Sequence, residues 1–181
     1  MIIGISGKKQ AGKTTIANHI GNRISHDLIG FFSYPKRIIR MCFNVHGDQD
    51  SQEVKDSMLP CGKTVRQLQQ YIGTDIFRAI DENCWINAYE YLVAEAEQSD
   101  WPPEHIITPD VRFPNEVKCI HRLGGIVIRL LRNPCNETHE SETALDDYDG
   151  FDVMVDNRNM TIVEQDDYVM GMLHEILKEK R

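Results

Sequence analysis

Residues 7–15 have the sequence GKKQAGKTT, which is the stretch most informative about the fold. It matches the phosphate-loop pattern GxxxxGK[ST] through Gly7, Gly12, Lys13 and Thr14. In such a loop the backbone N–H groups turn towards phosphate oxygens, the lysine reaches the terminal phosphates, and the hydroxyl beside it ligates magnesium. The stretch therefore predicts a site for ATP, or another nucleoside triphosphate, together with Mg2+. A glycine turn beside a solvated lysine is the alternative.

The surroundings of this stretch favour the phosphate loop over an accidental turn. Residues 2–6 are an apolar run that predicts a strand, and residues 16–24 carry helical spacing, so the loop joins a strand to a helix as the motif requires. Further strands are predicted at residues 28–32, 106–108, 126–130 and 151–155. Residues 64–98 are mostly helical in pattern with a break at 73–75, and other helices are predicted after Pro35, from Pro114 and over 161–180. This alternation predicts an α/β fold of the P-loop NTPase type, with three layers and a mostly parallel five-stranded sheet whose ligands lie beyond the carboxyl ends of the strands.

Composition restricts the function further. A chain of 181 residues with 41% apolar residues can form one globular unit, and the formal net charge of -8 argues against broad contact with nucleic acid or an anionic membrane. No apolar stretch approaches the length of a membrane span and no leader pattern is present, so we expect a cytoplasmic protein. The five cysteines form no CxxC pair and the histidines no HExxH pair, which gives a zinc centre little support.

The type of phosphate-loop protein is narrowed by what the sequence lacks. It has no NKxD segment for reading guanine, and no apolar strand that ends in adjacent acids, as a motor or large ATPase would need. A small kinase requires only the loop and an acceptor pocket.

A candidate acceptor segment lies in the middle of the chain. Arg66, Arg78 and Trp85 surround the predicted break, where Thr74 adds a hydroxyl. Arginines can fork onto a phosphate while an aromatic ring packs on a base, which suits a nucleoside monophosphate. The alternative, equally open from composition, is that the arginines are solvated and Trp85 belongs to the core.

A second candidate segment follows the strand predicted at 106–108. Asp110 could hold magnesium through water, and Arg112 could neutralise charge on the phosphoryl group in transfer. Alternatively, the two side chains pair and cap the helix that starts at Pro114. Because Pro109 cannot donate to a ladder, we expect the strand to end by Thr108.

Together these segments resemble the phage-type deoxynucleoside monophosphate kinases, a branch of the nucleoside monophosphate kinase fold. The resemblance covers nearly the whole chain and rests on GKKQAGKTT, on RQLQQYIGTDIFR with the Trp85 that follows, on DVRFPNE, on GGIVIRLLR and on HESE at 139–142. It implies transfer of the ATP γ-phosphoryl group to a deoxynucleoside 5′-monophosphate, with magnesium as cofactor. It also implies a single kinase domain over residues 1–181, with an acceptor-binding insertion at about 46–100 and a lid loop at about 133–149.

The resemblance assigns the remaining site residues. ATP would be bound by Gly7, Lys9, Ala11, Gly12, Lys13, Thr14 and Thr15. The acceptor side would use Lys8, Lys36, Arg66, Thr74, Arg78, Trp85, Arg112, Asn115 and Glu116. Catalysis would depend on Lys13, Arg78, Asp110, Arg112 and Arg132, and magnesium on Thr14 and Asp110.

The predicted lid departs from related kinases, which commonly carry several arginines there. Residues 133–157 contain no Lys or Arg and eight acidic residues. The nearest cations are Arg129 and Arg132, of which Arg132 would stack on the donor base. The acidic loop is either a solvated mobile surface or a lid whose His139, Ser141 and Glu142 order against ligand.

Several alternatives stay open at this stage. The chain could be a kinase for another small acceptor, or a non-catalytic module that uses ATP as a switch; a DNA-binding protein is disfavoured by the acidic composition. A monomer and a homodimer are equally compatible with the sequence, and the bases accepted are not fixed by it.

Overall fold

The computed structural model describes residues 1–132 and 138–179. The chain divides into two compact units: the first consists of Met1–Gly30 and Val93–Arg181, the second of Phe31–Leu92. The expectation of one kinase domain with an acceptor-binding insertion at 46–100 is a statement about function and stays a prediction.

The first unit contains a five-stranded parallel sheet in the order β2-β3-β1-β4-β5. Its strands are β1 Ile2–Gly7, β2 His26–Leu28, β3 His105–Val111, β4 Ile126–Leu130 and β5 Val153–Val155. The apolar run before the phosphate loop is therefore the central strand, and the predicted parallel sheet is confirmed.

Helices account for much of the rest of the described chain. They are α1 Lys13–Gly21, α2 Ser33–Phe43, α3 Gln52–Asp56, α4 Val65–Gln70, α5 Phe77–Ile80, α6 Cys84–Glu97, α7 Pro114–Arg122, α8 Glu140–Thr143 and α9 Ile162–Glu179, with a π-helical turn Tyr71–Ile76 between α4 and α5. The predicted helices from Pro114 and over 161–180 are confirmed. The polar stretch 46–62, for which the sequence predicts no element, contains α3.

Helices cover both faces of the sheet, as the three-layer prediction requires. Ile3 and Ile5 of β1 pack with residues of α1 and α9 in one buried cluster. Gly4 lies between them and faces the other way, where a Cβ would come within 2.6 Å of Ile120 in α7. Side chains alternate along a strand, so this pattern places α1 and α9 on one face and α7 on the opposite face.

The expectation that the strand ends by Thr108 is wrong. β3 continues to Val111, and its register with β1 shifts between the pairs Gly4↔Thr108 and Ser6↔Val111. Two residues of β3, Pro109 and Asp110, thus oppose one residue of β1. Because Pro109 lies in this bulge, its lack of an N–H does not interrupt regular pairing, which resumes at Val111.

The second predicted strand is displaced towards the N-terminus. Regular pairing covers His26–Leu28, and one further hydrogen bond runs from the Ile29 N–H to the Ile107 carbonyl at 3.1 Å. Phe31 lies in a turn before α2, where its ring stacks on Tyr89 with centroids 4.1 Å apart. Its apolar character reflects ring packing rather than a strand.

The helical break expected at residues 73–75 is also wrong. The chain continues there as a π-helical turn, and the interruption comes later, at 81–83, where the Asp81 carboxylate accepts the N–H of Asn83 at 2.8 Å. Gly73 is needed for space, because a Cβ there would lie 2.0 Å from the Phe32 ring. Gly73, which the sequence pattern predicts as a helix break, is thus a point of close packing against Phe32.

The second unit has its own apolar cluster. It is formed by Ile39, Val45, Val65, Leu68 and Ile72. The Thr64 side chain caps α4, accepting the Gln67 N–H at 3.2 Å while the Gln67 side chain accepts the Thr64 N–H at 2.9 Å. This capping box and the cluster give α4 a defined start and a buried face.

Candidate active site

Three neighbouring strands end at the candidate site. The phosphate loop follows β1, Arg112 follows β3, and Arg132 follows β4 by two residues. Parallel strands share their carboxyl edge, so these side chains belong to one edge of the sheet.

The phosphate loop has the backbone that its sequence predicts. Gly12 adopts φ 102° at the N-terminus of α1, a conformation that favours glycine, and the Ala11 N–H closes a turn on the Lys8 carbonyl at 3.1 Å. The Lys13 ammonium donates to the carbonyls of Gly7 at 2.7 Å and Lys8 at 2.8 Å. The ammonium is therefore held inside the loop, a position suited to contact with a terminal phosphate. Thr14 is exposed and Thr15 half-buried in the first turn of α1.

Glu142 joins the loop to Arg112. One carboxylate oxygen accepts the Lys9 backbone N–H at 2.8 Å, and the other accepts the Arg112 guanidinium. Its backbone carbonyl accepts the Lys8 ammonium at 2.6 Å, and Arg112 also donates to the Ser141 carbonyl at 3.2 Å. Burial acts to raise the pKa of Glu142, but Arg112 above all, with Lys13 and the Lys9 N–H, outweighs it and lowers the pKa. The carboxylate is thus ionised at neutral pH.

A second acid binds two more cations beside the loop. Asp146 pairs with the Lys8 ammonium and lies 3.7 Å from a guanidinium nitrogen of Arg129. Arg129 is buried, donates to the Ser6 hydroxyl at 2.9 Å and packs over the Phe151 ring at 5.4 Å. Burial lowers the pKa of Arg129, and the charges of Asp146 and Glu142 oppose this.

Glu116 fixes the backbone at Arg112. Its buried carboxylate accepts the N–H of Arg112 at 2.6 Å and of Phe113 at 3.1 Å, ahead of α7. Asn115 is half-buried in the first turn of the same helix. Glu116 thus holds the backbone of the two residues that precede α7, while the Arg112 guanidinium reaches Glu142.

The structure allows a test of the fit to magnesium. Asp110 lies in the bulge of β3, and a Cβ at Gly30 would come within 2.5 Å of its carboxylate. Among residues 1–132 and 138–179, no three His, Cys, Asp or Glu side chains are grouped to cage a metal. Mg2+ bound with nucleotides keeps several waters and takes few protein ligands, all of them oxygens, and a hydroxyl and a carboxylate are donors of that kind. The assignment of Thr14 and Asp110 to magnesium stays a prediction.

Arg132 is anchored to the segment after β5. Its guanidinium donates to the carbonyls of Asn157 and Met160, each at 2.7 Å, and its backbone N–H to the Asn157 side chain at 2.8 Å. The Asn157 amide in turn donates to the Ala11 carbonyl at 2.8 Å and to the Gln165 side chain at 2.5 Å. A buried network thereby links Arg132 to the phosphate loop.

Sequence reasoning missed three members of these networks. Asn157 carries a signal, because it is a polar residue directly beyond the carboxyl end of an apolar strand. Asp146 and Gln165 carry no such signal in the sequence, since a charged or polar residue suits a solvated position equally well.

In the second unit, the predicted cations are paired with nearby groups. Lys36 donates to Asp50 at 2.7 Å, and Arg66 to Asp56 and Gln52, both at 3.2 Å. Burial acts to raise the pKa of Asp50, but Lys36 and then Lys55 outweigh it and lower the pKa.

Trp85 and its neighbours lie around the π-helical turn. Trp85 is 4% exposed, its indole N–H donates to the Gly73 carbonyl at 2.7 Å, and its ring lies 4.9 Å from that of Phe77. Thr74 is buried in the turn, and Arg78 donates to the Glu82 carbonyl at 3.0 Å. Trp85 is therefore part of the core of this unit, and its role towards a ligand stays a prediction.

Sheet order and loop geometry define the class: an α/β protein with a phosphate-loop motif directly after its central strand. The sequence model of the deoxynucleotide monophosphate kinase family matches residues 40–165, more than half of the chain. The chain belongs to this family and is an ATP-dependent nucleotide kinase. The resemblance drawn from the sequence motifs is confirmed at the level of the family.

The chain is also similar to two individual proteins. A protein of Acanthamoeba polyphaga mimivirus, provisionally named a deoxynucleotide monophosphate kinase, is 28% identical over 179 residues, which cover 91% of each chain. Among solved structures, deoxyadenosine kinase from M. mycoides with bound dATP is similar over 96% of this chain and 100% of its own, at 16% identity. Its TM-score is 0.31, too low to support an argument about this chain.

Within the described part of the chain, no helix is both long and apolar enough to cross a membrane.

Proposed function

We propose that this kinase transfers the γ-phosphoryl group of Mg-ATP to the 5′-phosphate of a deoxynucleoside monophosphate, giving ADP and the diphosphate. The observation that carries the proposal is the phosphate loop with Lys13 held inside it, beside Arg112 on the same edge of the sheet. Membership of the deoxynucleotide monophosphate kinase family supports the proposed acceptor class.

The donor is proposed to bind at the phosphate loop. Backbone N–H groups from Lys9 to Thr15 would surround its phosphates at the start of α1, and Lys13 would reach the β- and γ-phosphates. Arg132, fixed by two carbonyls beyond β5, is proposed to lie against the donor base. Bound magnesium neutralises charge on the phosphate oxygens, and Thr14 and Asp110 would hold it.

The transfer itself needs positioning and charge neutralisation rather than a strong base. An oxygen of the acceptor phosphate is already a nucleophile; it forms a bond to the γ-phosphorus as the bond to the β–γ bridging oxygen breaks, and ADP leaves with that oxygen. Lys13 and Arg112 would offset the charge that develops. Glu116, which fixes the backbone of Arg112, would set the direction of its guanidinium.

Candidate acceptor-binding residues are proposed for each unit by itself. In the second unit the candidates are Lys36, Arg66, Thr74, Arg78 and Trp85. In the first unit they are Lys8, Arg112, Asn115, Glu116, Ser141 and Glu142. Arginine suits this role because its planar fork can bind two phosphate oxygens at once.

Exclusion of water would protect ATP from hydrolysis. We propose that residues 46–62 and 133–149 close on substrate, of which 133–137 lie outside the described residues. The chain is further proposed to act in the cytoplasm without a nucleic-acid partner, as a monomer or a homodimer.

ADP production from Mg-ATP tests the proposal, measured with each of the four deoxynucleoside monophosphates, with their ribonucleotide counterparts and with no acceptor. We expect turnover only with a deoxynucleotide acceptor. Turnover with none of them, but with another phosphorylated metabolite, would show a different small-molecule kinase. ATP binding without turnover on any acceptor would instead show a nucleotide-dependent switch.

A further inference from the structure

Two acidic side chains of one short segment bind the cationic groups of the phosphate site. Residues 138–149, termed the α8 segment here, contain the helix Glu140–Thr143 and the turn after it. Glu142 and Asp146 are four residues apart, and between them they contact Lys8, the Lys9 N–H, Arg112 and Arg129.

The contacts of Glu142 are those that a phosphate group requires. One oxygen takes a backbone N–H of the phosphate loop, the other takes a guanidinium, and the charge of Lys13 also acts on the carboxylate. Its side chain is 7% exposed, so the interaction is largely shielded from solvent. Loop N–H groups and arginine forks recognise carboxylates and phosphates by the same geometry.

We propose that, in the absence of nucleotide, Glu142 is an internal competitor for phosphate, so that nucleotide binds only as the α8 segment releases the loop and Arg112; the closure on substrate and the acceptor role of Glu142 proposed above would follow this release. The proposal rests on the proposed function, since it assumes that nucleotide phosphate binds at this loop. It accounts for the two acidic side chains that this segment places against the cationic groups of the proposed phosphate site.

The competition ties two events together. Glu142 holds the loop through Lys9 and holds Arg112 at the same time, so its displacement frees both. Arg112 becomes available to a phosphoryl group only when the loop is available to the donor. Asp146 adds to the effect through Lys8 and Arg129, although its side chain is 42% exposed and its ion pairs are more screened by solvent.

Binding of inorganic tripolyphosphate, measured by isothermal titration calorimetry, tests the competition without any acceptor or base. When a competing contact holds most of the population, removing it tightens the apparent affinity by the inverse of the fraction that was competent, here about tenfold for Glu142→Gln. Asp146→Asn is expected to tighten binding by a smaller factor. Glu140→Gln is the matched control: it removes the same charge from an exposed position of the same helix, and its affinity should stay within about twofold of wild type.

The outcomes separate this proposal from the proposed function. Unchanged or weaker binding in Glu142→Gln overturns the competition, and weaker binding makes Glu142 a ligand contact. Equal tightening in Glu140→Gln also overturns it, because the effect is then one of net charge. If Glu142→Gln fails to fold by circular dichroism, Asp146→Asn decides by the same criterion. No binding to wild type contradicts the phosphate site itself, and the competition falls with it.

Discussion

The cations of the first unit and those of the second are neutralised in different ways. In the first unit, Lys8 of the phosphate loop pairs with Asp146, which comes after β4, and Arg112 pairs with Glu142, 30 residues further along the chain. In the second unit, Lys36 pairs with Asp50 and Arg66 with Asp56, 14 and 10 residues away, and Arg78 donates to the Glu82 carbonyl, four residues away. The parallel sheet thus gathers the charges of the phosphate site from distant segments, whereas local helix geometry arranges those of the acceptor segment. The first arrangement supports the proposed phosphate site, whereas the local pairs of the second give no such support to the proposed acceptor role.

Lys13→Ala is expected to give the largest effect and tests the first half of this comparison. Removing the ammonium from inside the loop takes away a charge directed at the terminal phosphates, and turnover should fall by about 10²- to 10⁴-fold. The measurement is acceptor-dependent ADP production, with Lys118→Ala, an exposed lysine of α7, as control. Wild-type turnover in Lys13→Ala would contradict the assignment of the loop.

Arg78→Ala tests the acceptor role proposed for the second unit. If Arg78 binds the acceptor phosphate, the KM for the deoxynucleotide should rise by about tenfold or more, while the KM for ATP stays unchanged. Arg37→Ala, an exposed arginine of the same unit, is the matched control. An unchanged acceptor KM in Arg78→Ala would leave the local hydrogen bond to Glu82 as its only assigned role.

Trp85→Phe distinguishes packing from ligand binding in the second unit. The change removes the hydrogen bond from the buried Trp85 indole to the Gly73 carbonyl, which is left without this donor. It should lower the free energy of unfolding by about 1–3 kcal/mol. Trp101→Phe, at a position 90% exposed, should change it by less than about 0.5 kcal/mol. Both values come from urea denaturation. Equal effects of the two substitutions would contradict the buried position of Trp85.

The smallest effect expected is a pH dependence carried by Glu142. Its pKa is lowered below the ordinary glutamate value of 4.5. Its ion pair therefore stabilises the fold fully above that value, and the contribution is lost as the pH falls through the lowered pKa. The difference in free energy of unfolding between wild type and Glu142→Gln should thus be constant near neutral pH and shrink in acid. A difference that grows as the pH falls would have the wrong sign for this ion pair.

Sequence patterns predicted the features that depend on neighbouring residues. GKKQAGKTT between an apolar run and helical spacing was sufficient for the loop, the central strand and α1, and five apolar runs were sufficient for a parallel sheet. Arg112 and Arg132 followed from the rule that functional side chains lie beyond the carboxyl ends of parallel strands.

Features that depend on accommodation between elements were not predictable in this way. Pro109 was predicted to end a strand, because the sequence shows that it lacks an N–H but does not show the bulge in which no N–H is needed. Gly73 was predicted as a helix break, because the close approach of Phe32 that requires a glycine there comes from the turn before α2, which is distant in sequence. The contacts of Glu142 with Lys9 and Arg112 join segments whose charges are evident but whose pairing is fixed only by the fold.

Transfer of label from [γ-³²P]ATP is the most direct test of the central claim. The kinase is incubated with Mg2+ and one unlabelled deoxynucleoside monophosphate, and the products are separated by ion-exchange chromatography, with Lys13→Ala as the blank. We predict that the label appears in the deoxynucleoside diphosphate in amounts equal to the ADP formed, and that it is absent with Lys13→Ala. Label found only as inorganic phosphate, with the deoxynucleotide unchanged, would show hydrolysis rather than phosphoryl transfer and would contradict the account.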